Sequence, residues 1–111
     1  MDINTLNIPE IFKAIHKQNQ SCDLLKGGYG LLVSGTAIYP QSCIADAMKL
    51  AAVLGIGVRF YPIYGSVAAT HTFLRQEVVE KYNISDIDTM ETATIIAIIK
   101  AAFAVATSGK R

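Results

Sequence analysis

Residues 29–67 read YGLLVSGTAIYPQSCIADAMKLAAVLGIGVRFYPIYGSV, and the fold turns on how this stretch is divided. Tyr29 to Ser34 is a short apolar run without alternation, the pattern of a strand covered on both faces. A polar turn follows. From Cys43 to Leu54, the residues Ile44, Ala47, Met48 and Ala51 recur at helical spacing, and Gly55 supplies a stop. Ile56 to Ile63 returns to strand character, and Pro62, which has no N–H to donate, ends that strand or marks it as an edge. Strand, helix, strand predicts a βαβ unit with parallel strands and a right-handed crossover. The expected fold class is therefore α/β, a small parallel sheet covered by three to four helices.

The flanks extend this reading. Asn7 can cap a helix that has Pro9 in its first turn and Glu10 reaching back. Ile8, Ile11, Phe12 and Ile15 then form one apolar stripe, with His16 at its solvent edge. Gly27-Gly28 breaks the chain before the first strand. Beyond it, Ser66 is expected to cap a third helix with the inner stripe Val67, His71, Leu74, Val78 and Tyr82. A polar connection from Asn83 to Thr89 leads to a last helix, capped by Ser85 or Asp88 and stopped at Gly109. Two strands do not make a stable sheet. Either Cys22 to Leu25 adds a third, or another subunit completes the sheet. With no repeat and no long linker, residues 1–111 are expected to form a single domain.

Composition bears on partners. Of 111 residues, 51% are hydrophobic and only 17% charged, against about 25% charged in average globular usage. A small protein needs charge to cover its surface, so part of this one is expected to lie against another copy. Thr92 to Gly109 carries one charge, Lys100. A central lysine opposes membrane insertion, so this stretch is expected to be a buried helix, with Met90 to Thr107 forming a homo-oligomer interface. The net charge is +1, and Lys110-Arg111 is the one basic cluster, which argues against nucleic acid as a partner because affinity scales with phosphates neutralised. The first twenty residues lack the apolar core of a signal peptide. Cys22 and Cys43 have no paired spacing. Both features point to a cytoplasmic setting with free thiols and no membrane partner.

In a parallel sheet, ligands bind beyond the carboxyl ends of the strands. That edge would bring together Ser34, Gly35, Thr36 and Ser42 from one turn and Tyr64, Gly65 and Ser66 from the other. Helix N-termini there would favour a small anion, although serine and threonine at such places more often cap helices. Cys43, in the first turn of a helix, is a candidate reactive thiol, with packing beside Ile44 as the plainer role. His71 is a candidate site histidine, against a role satisfied within the core. Arg59, alone in mid-strand, must be exposed, paired or at an interface. No metal-ligand spacing is present, no carboxylate pair suggests acid–base catalysis, and no cofactor motif is found.

Leu32 to Thr36, the helix of Gln41 to Leu54, and Val58 to Tyr61 with the glycine turn before Val67 resemble the first βαβ unit of the DsrE/DsrF/TusD-like sulfur-relay family. That resemblance implies a small α/β subunit that oligomerises, and sulfur carriage on a cysteine, here Cys43. The sulfur-bearing members keep their cysteine after the second strand, where this chain has none. Ile63-Tyr64-Gly65-Ser66-Val67 is also similar to a turn in bacterial microcompartment shell subunits, which implies a self-assembling structural role. The expectation is thus a small oligomeric binding module, with a thiol protein or an assembly subunit as alternatives.

Overall fold

The computed structural model describes residues 5–19 and 21–108. Gly109 and the Lys110-Arg111 pair lie outside the described residues. In chain order the elements are α1 (Ile8–Gln18), β1 (Cys22–Leu24), β2 (Leu31–Val33), β3 (Thr36–Ile38), α2 (Ile44–Leu54), β4 (Gly57–Tyr61), β5 (Ser66–Thr70), β6 (Val78–Lys81) and α3 (Ile87–Ser108). They form two three-stranded sheets, β1-β2-β3 and β4-β5-β6, and every strand pairing is antiparallel.

The parallel sheet and its βαβ unit are therefore corrected. Ser34 and Gly35 both adopt positive φ, 51° and 80°, as a two-residue hairpin turn requires. The chain reverses after Val33, and Thr36–Ile38 pairs back onto Leu31–Val33. Helix α2 then delivers β4 to the other sheet, not beside β2. The second glycine turn acts alike. Gly65 is left-handed at φ 57° and ψ 49°, and an added Cβ would lie 2.9 Å from the Tyr82 carbonyl oxygen. Only glycine fits so close a backbone approach.

The helix expected from Ser66 to Tyr82 is also corrected. Ser66–Thr70 and Val78–Lys81 are strands, and Ser66 is a buried strand residue instead of a helix cap. Val67 and Ala69 enter the core cluster, and Ser66 and Ala68 on the opposite face are buried as well, as expected for the central strand of its sheet. Of the two alternatives for completing the sheet, a strand at Cys22 to Leu25 does form, over Cys22–Leu24, antiparallel to β2.

Helices α1 and α2 follow their sequence signals, whereas α3 opens after Asp86, which accepts the Asp88 N–H at 3.0 Å, and not after the expected caps Ser85 or Asp88. The Asn7 carboxamide oxygen accepts the Glu10 N–H at 3.3 Å, and its nitrogen donates to the Glu10 carboxylate at 3.2 Å. Gly55 caps α2 in the left-handed conformation. Helix α3 is buried almost continuously from Ala93 to Ala102, packed by α1, α2, β5 and β6. By length and composition alone it could cross a membrane, yet its apolar surface is used within the protein, as in any helix that is hydrophobic all round. Its one mid-helix charge, Lys100, donates to the Glu80 carboxylate on β6 at 2.8 Å.

Candidate functional site

Three concavities adjoin one another around the first turns of α3. A cavity of about 490 Å³ lies between α3 and the end of β6, lined by Glu80, Tyr82, Asn83, Asp88 and Thr92. Asp88 and Thr92 also line the next, about 450 Å³, whose other wall is Gln41, Ser42 and Cys43 before α2. Ile44 and Glu91 lead from there into an apolar groove of about 240 Å³ formed with Met48, Phe60, Ile87 and Met90.

The residues expected from sequence to share one site are divided by this arrangement. Ser34 and Gly35 form the exposed hairpin turn of the first sheet and Thr36 opens β3. Tyr64, Gly65 and Ser66 belong to the β4–β5 turn of the second sheet. Ser42 alone lines one of the three concavities. There it faces Asp88 and Glu91, whose negative charge opposes an anion at the start of α2. The Gln41 carboxamide nitrogen donates to the Tyr29 carbonyl at 2.6 Å, while its buried oxygen has no hydrogen-bond partner.

His71 sits elsewhere, in a cavity of about 230 Å³ between the ends of α1, α2 and α3. Its Nδ1 accepts the Phe73 N–H at 3.0 Å, so its Nε2 carries the proton and donates to the Leu54 carbonyl at 3.1 Å. Nε2 thus ties the loop to the end of α2, while Nδ1 braces the loop itself. Arg59 is exposed on β4 and makes no ion pair among the described residues. No group of three His, Cys, Asp or Glu side chains is placed to hold a metal ion among the described residues.

The two thiols differ sharply. Cys43 is the N-cap residue of α2 and exposed; Cys22 is fully buried on β1. Burial, followed by the charge of Asp23, pushes the Cys22 thiol up. A thiol reagent is expected to take up one equivalent quickly in the native state and a second only on unfolding. Two fast equivalents would contradict this placement. Because the folded state holds the Cys22 proton more tightly, its contribution to stability is full below the ordinary thiol value and is lost as pH rises from there through the raised folded value.

What the sequence reading missed is the groove. Phe60 is 51% exposed and Ile87 63%, and both line the apolar groove. The signal was present in Phe60-Tyr61-Pro62, an aromatic pair followed by the one residue that halts a ladder. Comparison with known proteins finds no match: no family model fits the chain, and no curated protein or solved structure is significantly similar to it.

Proposed function

We propose that the protein is a non-catalytic binding module that works by associating with copies of itself through the groove beside Phe60. The observation that carries this is the grouping of Ile44, Met48, Phe60, Ile87 and Met90 around one exposed apolar concavity with Glu91 as its charged wall residue. Exposed patches of this kind mark interaction surfaces. The low charge content of the chain points the same way, and a cytoplasmic setting accords with two unpaired thiols. The helix expected to form the interface still contributes, but through its first turns, since the rest is occupied within the subunit.

Sedimentation velocity across the micromolar range tests the reading. A mass that is a multiple of 12.0 kDa is expected, and Phe60→Asp is expected to weaken association at least tenfold while leaving the circular dichroism spectrum intact. A 12.0 kDa species at every concentration would overturn it.

A further inference from the structure

Strand β4 forms one edge of the second sheet, and no strand pairs with its outer side among the described residues. Proteins normally blunt such edges with charge, shortness or cover. The opposite edge, β6, carries Glu80 and Lys81, and the edges of the first sheet are three residues long. β4 has five residues and one charge, Arg59, and it holds Phe60 out beside the groove. Helix α2, on the other wall, leaves Ala45, Met48 and Ala52 exposed at a spacing that puts them on one stripe. An unprotected edge therefore adjoins an uncovered helix stripe.

We propose that a second copy of the chain pairs antiparallel with the outer edge of β4 around a two-fold axis at Phe60, joining two three-stranded sheets into one of six strands. This rests on the self-association reading of the groove and specifies its geometry. A two-fold perpendicular to the sheet keeps each face on its own side, so Phe60 meets only residues of its own face. An axis at Arg59 would set two guanidinium groups directly opposite each other, which is destabilising. An axis at Phe60 instead sets the two phenylalanines opposite each other and places Arg59 against the partner's Tyr61, a cation over an aromatic ring. Tyr61 is already held in place by its hydroxyl, which donates to the Glu77 carboxylate at 3.1 Å across the outer face of β5. The patch supplies both the cation and its acceptor, and this self-complementarity singles out another copy of the chain as the occupant.

The test is a single cysteine at Phe60→Cys in a Cys43→Ser background, with Cys22 left buried, oxidised and run on a non-reducing gel. Residues directly opposed in an antiparallel pair are about 4.5–5.5 Å apart at Cα, within disulfide reach. A crosslinked dimer is expected for Phe60→Cys and none for Val58→Cys or for the distant Ser34→Cys. Arg59→Glu is expected to raise the dissociation constant about tenfold. A native chain that sediments as a monomer would remove the self-association reading and this geometry together. A dimer that gives no Phe60 disulfide, or gives it no better than Ser34→Cys does, would overturn the geometry alone.

Discussion

Replacing Phe12 by alanine is expected to destabilise the protein by about 3–5 kcal/mol, the range for emptying a buried aromatic site. Phe12 is wholly buried on α1, between Ile8, Ile11 and Ile15 in the chain's stripe, and that stripe docks onto α3. The loss combines the transfer of the ring to water with the cavity left against a helix that cannot move in to fill it, because α2 and the second sheet hold α3 from other sides. Domains of this size are stable by about 5–15 kcal/mol, so the variant would keep a small margin at best. Denaturant melts followed by circular dichroism would show a lower midpoint with an unchanged slope. A change below about 1 kcal/mol would mean that α1 does not dock as described.

The second large effect is expected at Lys100. Lys100→Ala would strand the Glu80 carboxylate, whose side chain is only 12% exposed. Breaking a fully buried pair costs about 3–5 kcal/mol. The Lys100 side chain is 28% exposed, so part of that is screened by water, and about 2–3 kcal/mol is expected here. Removing both charges together, as Glu80→Leu with Lys100→Met, should recover most of the loss, because well-packed apolar replacements of an ion pair are often neutral. A double-mutant cycle separates these contributions. Equal destabilisation by the single and the double replacement would show that packing, and not the stranded charge, is responsible.

These two positions also show what could be read from the chain. The stripe holding Phe12 was legible because Asn7, Pro9 and Glu10 fix where the helix starts and one face is apolar. Helix α3 was legible as a buried segment from its Ala and Ile content, but its place was not: a helix hydrophobic all round is equally suited to a subunit interface and to the middle of a domain. The partner of Lys100 lies twenty residues away on a strand that sequence periodicity presented as a helix. There, Val67, His71, Leu74, Val78 and Tyr82 fall three or four residues apart, and the β-branched pairs that favour strands were outvoted. The hairpin at Ser34-Gly35 was missed for a local reason. Serine seldom adopts positive φ, so the turn read as a loop and Thr36–Ile38 lost its identity as a strand. Without that hairpin, two strands and a helix look like a parallel unit, and the expected convergence of Ser34 with Ser66 follows from the same error. Pro62 was read soundly: β4 ends before it and is an edge.

The central position of α3 has a consequence for how the chain comes to fold. Helices α1 and α2 and strands β5 and β6 all pack against an element that follows them in the sequence. During synthesis α1 and α2 emerge before their principal partner exists, and α1 must wait for contacts across most of the chain's length. Closing so long a loop precedes any reward from the contacts it makes. The apolar faces that α1 and α2 present to α3 therefore stay open until α3 has been made, while the two sheets, built from consecutive strands, need only local pairings.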